Sequence, residues 1–153
     1  MDPAFMEQAL AEAQEAWQLD EVPIGAVVVR NGTVIGRGHN LREKGKDPTL
    51  HAEMIAIRQA SAALGGWRLM DCDLYVTVEP CPMCAGAILQ ARIQRVIFGA
   101  RDPKAGCAGS LYNLLDDPRF NHRAEVMEGI LEDRCSRILK DYFRRKRSGN
   151  LDS

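Results

Sequence analysis

The stretch LYVTVEPCPMCAGAILQARIQRVIFG, Leu74 to Gly99, decides the fold. It opens on a short apolar run, Leu74–Val78, of the kind that lies in the middle of a covered sheet. A helix is expected to begin near Cys81 and to run to about Ala91, and Val96–Gly99 supplies a second strand. Strand, helix, strand in that order predicts a parallel pair joined by a right-handed crossover. Upstream, PIGAVVVR (Pro23–Arg30) is a β-branched run, Asn31-Gly32 is the pair a tight type I′ turn prefers, and Thr33–Gly38 returns as a strand. These form a hairpin. Met6, Ala9, Leu10, Ala13 and Trp17 recur at helical spacing, so Met6–Gln18 reads as an amphipathic helix. A polar segment, Leu41–Lys46, leads to Asp47 as an N-cap and Pro48 at the first helical position. The Ala-rich helix they open runs to Leu64, is apolar almost all round and so is expected to be buried, and Gly65-Gly66 stops it. Downstream, a glycine-interrupted loop, Arg101–Gly109, precedes a short helical stretch around Leu111–Leu115, an edge strand near Ala124–Met127 and a long final helix. Together these describe a covered α/β sheet.

A chain of 153 residues, 46% hydrophobic, is the size of one domain with a single core. The first five residues, MDPAF, precede a second methionine and are set aside as an expression leader, which places the domain at 6–153. No apolar run approaches the roughly 18 residues of a membrane span, and the N-terminus lacks the basic-then-apolar order of a signal peptide. An odd number of cysteines, five, fits a reducing compartment better than a disulfide framework, so a cytoplasmic protein is expected. The net charge of −1 gives no global pull toward nucleic acid, so any RNA affinity must come from local clustering.

Two short motifs carry the chemistry. HAE at His51–Glu53 and PCPMC at Pro80–Cys84 offer one imidazole and two thiolates, three of the four ligands zinc takes, with the fourth position left for water or hydroxide. Cys81 and Cys84 share one face at a helix N-terminus, where the dipole favours thiolate. His51 is expected in the first turn of the other helix, so two helix N-termini would meet around one Zn2+. Glu53, two residues on, diverges from the histidine's ligand direction and reads as the proton carrier for hydrolytic deamination. Singly each motif is weak. A lone C-x-x-C also serves redox pairs and half-sites of structural zinc, and a lone histidine is usually only packed. A structural site would need a further ligand from Cys72, Cys107, Cys135, His39 or His122, and none of these has paired ligand spacing.

At these residues the chain resembles the cytidine-deaminase-like superfamily and, within it, the bacterial tRNA-specific adenosine deaminases. The resemblance extends through EVPIGAVVV at Glu21–Val29, GHN ending at Asn40, DPTLHAE, LYVTVEPCPMCAGAI, FGARDPKAGCAGS and NHR at Asn121–Arg123. It implies a three-layer αβα fold with a mixed central sheet, zinc on His51, Cys81 and Cys84, and Glu53 as the catalytic glutamate. It also implies that Asn40 and the backbone of Ala52 hold the target base and that Asp102 and Lys104 lie near the anticodon loop. The implied substrate is the wobble adenosine of an arginine tRNA, deaminated to inosine by a homodimer. The bland alternative for Asn40 is a turn or cap residue after the second strand, and base contact is the favoured reading.

The residues themselves add DYFRRKR near the C-terminus, where Tyr142 and Phe143 precede Arg144, Arg145, Lys146 and Arg147. Rings for stacking and cations for phosphate suit an RNA loop, with Phe143 and Arg144 the leading candidates, although a basic helix end is also ordinary electrostatics. Two other functions remain open on the sequence: a deaminase of free bases or nucleosides of the guanine or cytosine type, and an RNA-binding module with structural zinc.

Overall fold

The computed structural model describes residues 2–152, with side chains described through Gly149. Nine elements follow in order: α1 (Pro3–Gln18), β1 (Gly25–Arg30), β2 (Thr33–His39), α2 (Ala52–Leu64), β3 (Cys72–Val78), α3 (Pro82–Ala91), β4 (Arg95–Ala100), β5 (Glu125–Glu128) and α4 (Glu132–Asp152). The five strands form one mixed sheet in the order β2-β1-β3-β4-β5. β1 is antiparallel to both β2 and β3, whereas β3/β4 and β4/β5 are parallel. The hairpin turns on Asn31 and Gly32, both with positive φ (50° and 77°), as a type I′ turn demands.

Side-chain alternation divides the core into two layers. Ala26, Val28, Leu74, Val76, Val96 and Phe98 point to the side of α2 and α3, while Val27, Val29, Tyr75 and Ile97 point to the side of α1 and α4. The result is the expected three-layer αβα fold with both faces of the sheet covered. No helix among the described residues is long and apolar enough to cross a membrane.

Local boundaries depart from the sequence reading at four places. α1 starts at Pro3 rather than Met6, because the Asp2 side chain accepts from Ala4 N and Pro3 sits at the first helical position. Phe5 then packs against Tyr75, with ring centroids 5.5 Å apart. Asp47-Pro48 does not open α2: Asp47 Oδ1 accepts from Thr49 N and Thr49 Oγ1, closing a separate turn, and the helix begins at Ala52. α2 is one-faced rather than buried all round, with Arg58, Gln59, Ala62 and Ala63 exposed. The stretch Leu111–Leu115 is not helical. Leu111 N donates to Gly106 O and Leu114 N to Cys107 O, and Ala108 bridges Asn113, so the amides a helical ladder would need are committed across the loop.

Glycine sets how closely α2 approaches the sheet. A Cβ at Gly36 would lie 2.3 Å from Ala56 O, and one at Gly38 would lie 2.5 Å from Ala52 O, both backbone atoms. Neither contact can relax by turning a side chain. Gly36→Ala is therefore expected to push α2 off β2 and cost about 1–3 kcal/mol. That corresponds to a fall in Tm of roughly 2–12 °C for a chain of this size. An unchanged melting curve would mean that α2 shifts freely on the sheet.

Candidate active site

α2 and α3 lie on the same face of the sheet and begin side by side. His51 is the N-cap of α2 (ψ 153°) and Cys81 the N-cap of α3 (ψ 177°), and neither side chain caps its own helix. The sequence placed His51 one position too far into its helix, but the meeting of two helix N-termini is as expected. His51 Nδ1 lies 3.6 Å from the Sγ of both Cys81 and Cys84. Bonds of about 2.3 Å to sulfur and 2.0–2.1 Å to nitrogen, set at a tetrahedral angle, subtend about 3.6 Å. The spacing therefore suits zinc without rearrangement.

Proton chemistry points the same way. The Cys84 thiol hydrogen-bonds Cys81 and, with His51 alongside, holds the Cys81 thiol down at about 4 against the opposing effect of burial. The same pairing, together with burial and the nearby Glu53, pushes Cys84 far up. A cation between the two sulfurs would favour the thiolate form of both. Among the described residues the three ligand atoms, all within 4.8 Å of one another, form one metal-capable group that no fourth protein ligand joins. Cys72 and Cys135 are buried in the core, His39 pairs with Glu12, and His122 Nε2 meets Ile93 O. Cys107 is buried too, its amide donating to Pro80 O.

Glu53 stands beside this group and not in it. Its side chain is buried, burial pushes its carboxyl up to about 7, and it lies in hydrogen-bonding contact with Cys84. A buried carboxyl poised near neutrality next to a metal-capable set can exchange protons with a bound reactant.

Asn40 is buried, and its Oδ1 accepts from Ala52 N at 2.8 Å. It supplies the cap that His51 does not, so the cap role weighed for it from sequence is present, reached from outside the helix. Ala52 N–H is thereby engaged. Asp102 Oδ1 accepts from Lys104 N and Ala105 N, which folds the start of the loop onto itself, and Lys104 is exposed. The basic tail divides between two faces of α4. Tyr142 is buried with its hydroxyl donating to Asp20 O, Lys146 pairs with Asp20 at 2.8 Å, and Arg145 lies over the Trp17 ring. These three fasten α4 to α1. Phe143 and Arg144 face the other way, and with Arg101, Lys140 and Arg147 they line a cleft of about 360 Å³ at the end of β4. Among the described residues Arg144 makes only an exposed pair with Asp141, at 3.5 Å.

Two residues that the sequence reading passed over hold the surroundings in place. Glu21 is buried and accepts from Glu43 N and Lys44 N, fixing the segment after Asn40. Glu79, at the end of β3, is buried and accepts from Asp102 N, Ala108 N, Ser110 N and Ser110 Oγ. Burial pushes the Glu79 carboxyl up, but the Ser110 hydroxyl and the loop amides outweigh it and leave the group below its ordinary value. The available signal was a charged residue ending an apolar strand, opposite a GCAGS loop rich in unshielded amides.

A family model described as MafB19-like deaminase matches residues 2–147. A tRNA-specific adenosine deaminase of Bacillus subtilis is 53% identical over 146 residues, 95% of this chain and 91% of that protein. One from Haemophilus influenzae is 46% identical over 147 residues, 95% of this chain and 85% of that protein. A solved structure from a study of A-to-I editing by tRNA:A34 deaminases superposes with a TM-score of 0.87 at 48% identity, covering 90% of this chain and 100% of that one. Guanine deaminase of Nitrosomonas europaea gives 0.80 at 25% identity, covering 93% and 84%. On the extent of these matches the chain belongs to the tRNA-specific adenosine deaminases of the MafB19-like deaminase family.

Proposed function

We propose that this enzyme converts adenosine to inosine at the wobble position of an arginine tRNA anticodon, with one zinc ion held by His51, Cys81 and Cys84 and a water in the fourth position. The observation that carries the reading is the buried Glu53 carboxyl set against a three-ligand cluster that no fourth protein group closes, since an open position is what separates a catalytic from a structural site. Zinc held there supplies the Lewis acidity that makes water a nucleophile near neutral pH. Glu53 takes one proton of the attacking water and places it on the adjacent ring nitrogen of adenine, then takes the second from the hydroxyl on the tetrahedral carbon and passes it to the departing amine, so that adenosine and water become inosine and ammonia.

Base recognition falls to Asn40 and Ala52. With Asn40 Oδ1 committed to Ala52 N, the Asn40 amide nitrogen is the group left to donate to a base, and a base approaching Ala52 N–H would share that donor with Asn40. The free carboxylate oxygen of Asp102 suits a ribose 2′-hydroxyl, and Lys104 suits a phosphate. Phe143 offers a ring for stacking, and Arg144 leads the cations of the cleft beside it. The exposed Asp141–Arg144 pair gives up little when RNA replaces it. A tRNA substrate supports a cytoplasmic location for the enzyme. The outer face of α3, where Met83, Gly86 and Ala87 are only half-buried, suits the packing of a homodimer.

Incubation of the purified protein with an arginine tRNA bearing adenosine at the wobble position tests the reading. Inosine in the nucleoside digest, lost with a chelator and regained with zinc, is the expected result. Absence of inosine together with ammonia release from guanine would replace this reading with that of a free-base deaminase, the activity named for the Nitrosomonas relative.

A further inference from the structure

One carboxylate organises the whole loop between β4 and the Leu111 region. All four donors come from a single segment: Oε1 of Glu79 accepts from Asp102 N (3.0 Å) and Ser110 Oγ, and Oε2 accepts from Ala108 N (3.0 Å) and Ser110 N (2.9 Å). Four bonds fill the acceptor capacity of a carboxylate. Gly106 closes over the group, since a Cβ there would lie 2.3 Å from Glu79 Cδ. The backbone adds two ties, Glu79 N to Ala100 O and Cys107 N to Pro80 O. Among the described residues no cation hydrogen-bonds the group, so the charge is held by three oriented amides and a hydroxyl, a concave nest for an anion. The anion here is the protein's own side chain, and two residues after it the chain reaches Cys81. The loop that carries Asp102 and Lys104 is thereby hung from the same strand end that carries the metal-capable cysteines.

We propose that Glu79 is a positioning residue for the polynucleotide substrate: by gathering the Asp102–Ser110 amides it fixes the substrate-facing loop relative to the His51–Cys81–Cys84 cluster. The proposal rests on the tRNA reading above. An amide cannot replace the carboxylate, because its NH2 group would face donors already aimed at that oxygen and leave buried amides unpaired. The loop then relaxes outward while His51, Cys81, Cys84 and Glu53, which Glu79 does not contact, stay in place. The loss appears in substrate affinity and not in turnover.

The test is Glu79→Gln assayed for inosine formation on an arginine anticodon stem–loop RNA, with zinc content measured on the same preparation. KM is expected to rise by about tenfold or more, given that misplacing a positioning group by about an ångström costs up to about a hundredfold. Turnover at saturation and zinc content stay near wild type, the pattern of lost uniform binding. An unchanged KM overturns the proposal, and so does a loss of zinc and turnover together, which would make Glu79 a support of the metal site. If Glu79→Gln does not fold, Ser110→Ala carries the test, with a smaller KM rise at unchanged turnover expected and no rise overturning it. A wild-type protein that forms no inosine sinks the tRNA reading instead. The loop is then read directly by trypsin cleavage after Arg101 and Lys104, faster in Glu79→Gln if the carboxylate holds the loop and equal if it does not.

Discussion

Glu53→Ala is expected to slow deamination by on the order of 10² to 10⁴ while leaving the zinc content and the fold intact. The expectation follows from where the carboxyl sits. It is buried, it lies against Cys84 yet outside the three-ligand cluster, and burial raises its pKa to about 7. Removing a metal ligand would empty the site, whereas on the proposed mechanism removing Glu53 takes away only the group that would move protons between water, ring nitrogen and leaving amine. A buried acid with a raised pKa is also a group whose charged form is disfavoured by folding. Its loss should therefore not lower Tm, as is common where a site keeps a costly group for function. Glu53→Gln separates proton transfer from hydrogen bonding: it retains the shape and the polar atoms and should be as slow as the alanine variant. Single-turnover rates on a wobble-adenosine tRNA, with zinc determined on the same sample, decide the matter. Turnover near wild type in either variant would remove Glu53 from the mechanism.

The sequence made the sheet and the metal cluster legible because both are written in short-range chemistry. Asn31-Gly32 between two β-branched runs admits little but a hairpin, and an apolar strand leading into PCxxC admits a helix whose first turn presents sulfur. The elements that were misplaced were settled by partners distant in the chain. Asp47 carries the composition of an N-cap, yet α2 starts at Ala52 because Asn40, from the end of β2, supplies the acceptor. Leu111–Leu115 has helical spacing, but Glu79, from another strand, takes Ser110, and Gly106 and Cys107 take the neighbouring amides. The basic tail looked uniform because a run of like charges does not say which face of a helix meets the core. Trp17 of α1 and Asp20 in the turn after it decide that Tyr142, Arg145 and Lys146 turn toward α1 and that Phe143 and Arg144 turn away from it. Buried glutamates were passed over for a related reason: the hydrogen-bond partners of Glu21 and Glu79 are backbone amides and the Ser110 hydroxyl, which become available only once the loops are folded.

Cys84→Ala is expected to abolish zinc binding and deamination together, and with them the response of stability to zinc. Cys84 is fully buried in the first turn of α3, and its sulfur shares the 3.6 Å approach to His51 Nδ1 with Cys81. Two protein ligands would remain, and changes even beyond the ligand sphere cost about 10–100-fold in affinity, so the loss of a ligand should exceed a hundredfold. A zinc ion held by the cluster would join the N-termini of α2 and α3, which the unfolded chain does not hold together, so zinc at a hundredfold over its Kd should stabilise the wild-type fold by about 2.7 kcal/mol. At the slope usual for chains of 150–250 residues this is a rise in Tm of roughly 5–11 °C on adding zinc to the metal-free protein. Cys84→Ala should melt at one temperature with or without zinc. The informative control is Cys107→Ala. Cys107 is buried, with its backbone tied to Pro80, yet it lies outside the metal-capable group. If the cluster is open for a water, that variant keeps its zinc, its inosine formation and its zinc-dependent rise in Tm. A Cys107→Ala protein that loses zinc as Cys84→Ala does would make the site four-coordinate in protein groups, closed to water, and would turn the reading from a deaminase centre to a structural one.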